Sequence, residues 1–260
     1  MTVNKKFNFL KPFLCKDLIR IGNNFDGGYV VSKSVIKSSK YIISCGIGNQ
    51  FSFEEDLIKY NCFNFYLYDH TVNAISYLKL ILKYFRRFIT LRLNYKILIN
   101  SLLDFYNYLI LIKSNRVNFF PREVCNKSDK NRISLTKILA DKEDVTLKID
   151  IEGNEYKILN SIINNRNKLL MLIIEFHYIQ KNKQKFLIFF KKLLKDFSII
   201  HIHGNNNSSV NIYGIPDVLE VTIIKNNKNI ISKKKIYSFP TKYDFHNNPN
   251  LKDIDFRFNY

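Results

Sequence analysis

The chain has 260 residues, a formal net charge of +19 and 46% hydrophobic residues. That is enough length for one large or two small domains and enough apolar content for a full core, and it excludes a wholly disordered chain. The longest near-apolar stretch, 97–112, is broken by Asn100, Asp104 and Asn107, whereas a spanning helix needs about 20 mostly apolar residues. The N-terminal apolar run stops at Lys11 and Pro12, too soon for a signal peptide. Cys15, Cys45, Cys62 and Cys125 form no CxxC pair. That spacing argues against a disulfide framework or a Cys-rich zinc site and for reduced thiols in a cytoplasm. The charge comes with 32 Lys against 9 Arg, 32 Asn, 2 Ala and no Trp. This is the composition an AT-rich genome imposes, and it accounts for the basicity better than a dedicated polyanion site does.

No repeat and no Gly/Ser- or Pro-rich linker divides the chain. Short β-rich runs alternate with helical ones, the signature of βα units and a parallel sheet. Residues 41–45 form an apolar strand stopped by Gly46. A helix over 51–60 starts at Ser52, and Glu54, Glu55 and Asp56 in its first turn suit the helix dipole. Residues 63–68 form a strand ending at Asp69, and 72–84 a helix. The Leu/Ile/Tyr stretch 85–113 is too long for a simple crossover and predicts one or two extra helices outside the sheet. Its apolar face covers a pocket or meets a partner or a membrane surface, with simple packing against the domain favoured over membrane docking. Strands follow at 117–120 and 123–125, a short helix at 134–140, a strand at 145–150 and a helix at 154–165. The strand 170–176 precedes a basic amphipathic helix, 181–196. Strands 197–203 and 218–224 have no helix between them and predict an antiparallel pair.

Four constellations carry chemistry. Gly46 and Gly48 lie between a strand and a helix, where backbone can approach a ligand and free N–H groups face an anion. Asp69, 21 residues after Gly48, is placed to accept both hydroxyls of a ribose. Phe51 occupies the position where a dinucleotide fingerprint has its third Gly, which favours a nucleoside ligand without a pyrophosphate. Asp150 and Glu152 follow a buried strand at the sheet edge where ligands bind; they can position a hydroxyl, hold a metal or take a proton. Glu155 reads as no more than charge in the next helix's first turn. Glu175 and His177 end the following strand and together suit an oriented general base. His201 and His203 share a strand face; one of them, or a neighbouring Asn, is expected to line the pocket, with metal binding the lesser use.

These motifs together resemble the FkbM-type and methyltransferase-like families of S-adenosylmethionine-dependent methyltransferases. Residues 147–159, LKIDIEGNEYKIL, resemble the family's central KIDVEGAE signature, and 173–177, IIEFH, the segment one unit later. Arg20-Ile21-Gly22 with Asp26-Gly27-Gly28-Tyr29-Val30 is similar to an N-terminal segment of one branch. Residues 44–53 are similar to its SFGIG…SFE stretch, with Cys45 in place of an aromatic, and 203–206 and 219–222 to its late HGNN and LE(L/V)T pieces. The resemblance runs from about Arg20 to Thr222 and lapses over 85–113. It implies a single domain over 1–260, with an N-terminal segment 1–40, a helical insertion 85–113 and a C-terminal extension 225–260. The implied fold is α/β, Rossmann-like class I methyltransferase, with a mostly parallel seven-stranded sheet and an antiparallel last strand. It also implies S-adenosyl-L-methionine as cofactor and methyl transfer, typically to an oxygen of a sugar, glycan or small molecule. Gly46, Gly48 and Asn49 would lie under the methionine end, Asp69 at the ribose, and Ser128 and Asp129 near adenine. Asp150 would sit between cofactor and acceptor, with His177 the first choice of base among His177, Asp150, Glu152 and Glu175. No resident metal is predicted, although the acid pair is of a kind that holds a divalent ion. The rival reading is a basic nucleic-acid-binding or RNA-modifying protein on the same fold, with Lys gathered around the site.

Overall fold

The computed structural model describes residues 1–60, 64–90 and 94–259; Cys62 and the predicted strand start at Phe63 lie outside the described residues. The chain begins with β1 (Phe13–Cys15), the hairpin β2 (Leu18–Ile21) and β3 (Tyr29–Ser32), and α1 (Lys33–Ser38). Ser32 caps α1 by accepting from the Val35 N–H. Then come β4 (Tyr41–Cys45), α2 (Ser52–Tyr60), β5 (Asn64–Tyr68), α3 (Ala74–Ile89), α4 (Tyr95–Lys113) and β6 (Val117–Phe120). A small parallel pair, β7 (Glu123–Cys125) and β8 (Arg132–Ser134), leads through α5 (Leu135–Ile138) into β9 (Val145–Ile149). The second half runs α6 (Glu155–Asn164), β10 (Leu169–Phe176), α7 (Lys183–Leu193), β11 (Phe197–Gly204) and β12 (Leu219–Lys225). Three short strands close it, β13 (Ile231–Lys235), β14 (Ser238–Phe239) and β15 (Phe256–Arg257).

Seven strands form one sheet in the order β11-β12-β10-β9-β4-β5-β6. The neighbours from β10 to β6 pair parallel, and β12 runs antiparallel to both β10 and β11. That order and that reversed strand define the Rossmann-like class I methyltransferase fold. The central strands are buried and largely apolar, as strands covered on both faces tend to be: all five residues of β9 are buried, Lys148 among them. Chain direction across the sheet reverses between β4 and β9, so the loops leaving their C-terminal ends diverge and open a crevice there.

The helix predicted at 72–84 runs on to Ile89, because no Gly or Pro interrupts 85–89. Asn73 and Ser76 cap it reciprocally. The segment between β5 and β6 therefore comprises two helices, α3 and α4, and no helix starts at 85. α4 buries Ser101, Tyr108 and Leu111, whereas α3 buries only Tyr77. No described helix is long and apolar enough to cross a membrane. Cys15, Cys45 and Cys125 are free and buried, and burial pushes the Cys45 thiol up to about 12.

The C-terminal segment straps back over the rest of the chain. β13 pairs with β1, and β14 with β15. His201 and His203, expected at the pocket, are consumed by this strap. His201 Nε2 lies 3.0 Å from Asp244 Oδ1, and His203 lies 3.3 Å from Glu220 and 3.4 Å from Asp253. Neither imidazole lines the main cavity. Burial opposes the charged form of His203, but Glu220 and Asp253 outweigh it and raise its pKa to about 10. A group whose folded pKa exceeds its unfolded value stabilises fully below the latter and loses that contribution as pH rises through the former. The melting temperature should therefore fall between pH about 7 and about 10, and His203→Gln should flatten that fall. An unchanged slope in His203→Gln, followed by circular dichroism, would remove His203 as the latch.

Candidate functional site

The crevice at the switch point is a cavity of about 610 Å³. Its geometry begins at Gly46. The turns after β4 and β9 cross so closely that a Cβ on Gly46 would stand 1.6 Å from the Asp150 carbonyl oxygen, and Gly46 has φ +80°. Only glycine fits that crossing. Backbone hydrogen bonds stitch it, from Gly46 N–H to Tyr68 O and from Asp150 N–H to Cys45 O, each 2.9 Å. Gly48, at φ +53°, has open space where its Cβ would be, with no neighbour nearer than 4.0 Å.

Asp69 holds this turn. Its Oδ2 accepts from the N–H groups of Ile47 and Gly48, both at 2.9 Å. Its Oδ1 accepts from the Thr71 N–H and hydroxyl and from the Val72 N–H. Burial disfavours the carboxylate, yet these five donors prevail and hold its pKa below the usual range. Asp69 thus lines the cavity with its oxygens already engaged. Asn49 stands exposed at the lip. Phe51 is buried against Tyr108 of α4, ring centroids 6.3 Å apart. Ser128 and Asp129, expected near adenine, instead bond Ser134 and Arg132 away from the cavity, and Arg122, Glu123 and Val124 form that wall.

Beneath the turn lies a buried charge network. Lys148, in the middle of β9, is 2% exposed; its ammonium donates to the Gly46 carbonyl at 2.6 Å. It stands 3.6 Å from Glu54 and 3.7 Å from Asp150. Burial opposes its charge, but Glu54 and Asp150 overcome that and raise its pKa. Glu54, read from sequence as a dipole residue, is wholly buried and accepts from the Ser44 hydroxyl at 2.6 Å. The Tyr29 hydroxyl donates to Asp150 Oδ2 at 2.9 Å.

Of the predicted acid–base residues, Asp150 and Glu152 line the cavity, whereas Glu175 and His177 are buried beside them and are not among its lining residues. Pairing of β9 with β10 sets Ile149 beside Ile174, which brings the following residues together. One oxygen of Asp150, one of Glu175 and one nitrogen of His177 all lie within 4.8 Å of one another, close enough to share a divalent cation. Glu175 does not orient His177: its Oε1 accepts from Asn205 at 2.8 Å. Burial, and then the charges of Asp150 and Glu220, push its carboxyl well above the usual range. The orienting group is Glu155, which is fully buried. Its Oε1 accepts from the Ile151 and Gly153 N–H groups and lies 3.1 Å from His177 Nδ1. Glu152, with φ +53°, turns an exposed carboxylate to 3.4 Å from His177 Nε2. Burial opposes the His177 cation, yet its bond to Glu155 and the surrounding carboxylates raise its pKa.

Sequence reasoning missed Lys148, Glu54, Tyr29 and Glu155 as site residues. A lysine inside an otherwise apolar strand was the available signal for Lys148, because such a residue is buried only when paired. Nothing local marks Glu54 and Glu155, since first-turn acids are common on solvated helices.

No protein-family model matches the chain, and neither does any curated protein sequence. Among solved structures, the precorrin-6y C5,15-methyltransferase of Geobacter metallireducens is similar over 75% of this chain and 85% of its own, at 8% identity and TM-score 0.38. TYW2 of M. jannaschii, solved in complex with AdoMet, covers 75% of this chain and 74% of its own at 10% identity and TM-score 0.37. A fibrillarin/Nop5p complex covers 73% and 74% at 12% identity and TM-score 0.36. The fold assignment rests on strand order and direction.

Removing one partner of a buried ion pair leaves an uncompensated charge and costs about 3–5 kcal/mol. Lys148→Met should destabilise the chain by that order in urea unfolding, and adding Glu54→Gln should recover part of the loss. A Lys148→Met protein within about 1 kcal/mol of the parent would show that the network does not hold the turn.

Proposed function

We propose that the chain is an S-adenosylmethionine-dependent methyltransferase of FkbM type, acting on a hydroxyl of a sugar, glycan or small molecule. The observation that carries this reading is the charge of the cavity. Asp26, Asp69, Glu123, Asp150 and Glu152 line it, against Arg122 and His70, and no Lys is among its lining residues. An acidic wall suits a ligand with sulfonium and ammonium charges and opposes a pyrophosphate or an RNA backbone. The open space over Gly48 admits the methionine end of such a ligand, and the ribose hydroxyls replace the Thr71 hydroxyl on Asp69. When bound, the cofactor supplies an already activated methyl group. The chain's own residues align the acceptor oxygen and remove its proton. Asp150 and Glu175 receive the acceptor hydroxyl. His177, held by Glu155 through Nδ1, takes the proton at Nε2.

Thermal-shift measurements should show stabilisation by S-adenosylmethionine and S-adenosylhomocysteine and none by NAD. Absence of a shift with either adenosyl ligand at millimolar concentration would overturn the reading. Asp69→Ala should weaken adenosyl binding by roughly 1.5–3 kcal/mol, the worth of a charge-assisted hydrogen bond.

A base must be deprotonated to act, so the rate should rise with pH through the elevated His177 pKa. Glu155→Gln removes the charge that raises it while keeping an acceptor for His177 Nδ1. Its alkaline-rising limb should move to lower pH, and His177→Ala should lose roughly 10²–10⁴-fold in rate with cofactor binding intact. An unshifted limb in Glu155→Gln would take the base role away from His177.

A further inference from the structure

Among the described residues, more than half of the exposed large apolar side chains lie on the α3–α4 hairpin. On α3, Ile75, Leu78, Leu82, Phe85 and Ile89 recur at helical spacing on one face, and Ile75 and Leu82 are 64% and 56% exposed. On α4, Ile99, Leu102, Tyr106 and Ile110 do the same. Soluble monomers rarely present so continuous an apolar face. The core does not need it, since the hairpin reaches the sheet through Tyr77, Tyr108 and Leu111. Lys79, Lys83, Arg86 and Arg87 on α3 and Lys96 on α4 are exposed alongside, and Asp104 is the one acid in the two helices.

We infer that this hairpin docks the protein on an anionic lipid bilayer, the apolar faces entering the interfacial layer and the cations meeting lipid phosphates. An amphipathic helix with apolar and basic faces lies in the membrane plane in this way, and lysine and arginine stems reach from the apolar boundary to the headgroups. Charge selects the bilayer over a second copy of the chain. Lys79 and Arg86 flank the apolar stripe, so two hairpins pressed face to face would oppose cation to cation in a chain of net charge +19. The apolar arc also exceeds a coiled-coil seam, because the exposed Phe88 widens it beyond the Ile75–Leu78–Leu82–Phe85 line. The inference does not draw on methyl transfer.

The test is co-sedimentation of the full chain with phosphatidylcholine vesicles and with phosphatidylcholine/phosphatidylglycerol vesicles. The parent should pellet with the anionic vesicles, stay in solution with the zwitterionic ones, and be released by high salt. Arg86→Glu/Arg87→Glu and Leu82→Glu/Phe85→Glu should each lower the partition coefficient roughly ten-fold or more. All four positions are exposed, so thermal melts should match the parent; if the apolar pair fails to fold, the arginine pair still decides. Parent protein remaining in the supernatant with anionic vesicles overturns the inference, as does parent-like pelleting of the arginine variant. A lipid-free dimer that Leu82→Glu/Phe85→Glu dissociates also overturns it, because the occupant is then a second copy.

Discussion

The buried ammonium of Lys148 is the constraint on which the site depends. It draws the Gly46 carbonyl, the Glu54 carboxylate and the Asp150 carboxylate toward one point beneath the crossing of two loops. Desolvating a charge costs several kcal/mol, which only close partners repay. Each partner fixes a different element: Gly46 the turn after β4, Glu54 the first turn of α2, and Asp150 the end of β9. Tyr29 adds the N-terminal hairpin by donating to Asp150. The crossing at Gly46 then leaves no room for a side chain, and the turn takes the one backbone path open to it. Glu54 Oε2 remains buried without a hydrogen-bond partner, so the network is held by charge as much as by hydrogen bonds.

The same network resolves an apparent conflict between overall and local charge. A chain of net charge +19 surrounds a cavity whose charged lining is mainly acidic. One lysine is spent internally, under the floor, and others lie outside on α3, α4 and α7. Counting charges over the chain therefore misleads about the ligand, whose field is set by groups within a few ångströms rather than by screened surface cations. Glu175 illustrates the local rule. Burial, and then the like charges of Asp150 and Glu220, push its carboxyl well above the usual range.

The sheet was legible because strands covered on both faces read as short, largely apolar runs. Residues 41–45 and 117–120 fall where periodicity puts them, and the absence of a helix between 203 and 218 foretells the antiparallel pair. Helix ends were less legible: with no breaker at 85, nothing in the sequence stops α3 before Ile89. Asp150, Glu175 and His177 converge as strand-end positions imply, since adjacent parallel strands in register must bring their C-terminal residues to one rim. What pattern could not reveal is which carboxylate serves which partner. Glu155 sits in a first turn, where acids suit the dipole, yet here the tight turn through Glu152 and Gly153 folds the chain back over it. Burial then makes its oxygens the receptors for two N–H groups and an imidazole. His201 and His203 fail as pocket residues for a related reason, because their partners Asp244 and Asp253 are more than forty residues later in sequence.

Glu155 and Lys148 together anchor the residues at the ends of β9 and β10. Lys148 fixes Asp150 from below and Glu155 fixes His177 from behind, and both anchors are inaccessible to water. Asp150, which lines the crevice, and the buried His177 behind it are therefore positioned by charges that solvent does not readily screen. Glu155 keeps one buried oxygen unsatisfied, a cost the fold tolerates because the other oxygen binds three donors at once. Glu152, by contrast, is exposed on a left-handed turn, 3.4 Å from His177 Nε2. The ends of β9 and β10 thus combine a buried imidazole, a carboxylate held from below and an exposed carboxylate 3.4 Å from the imidazole Nε2.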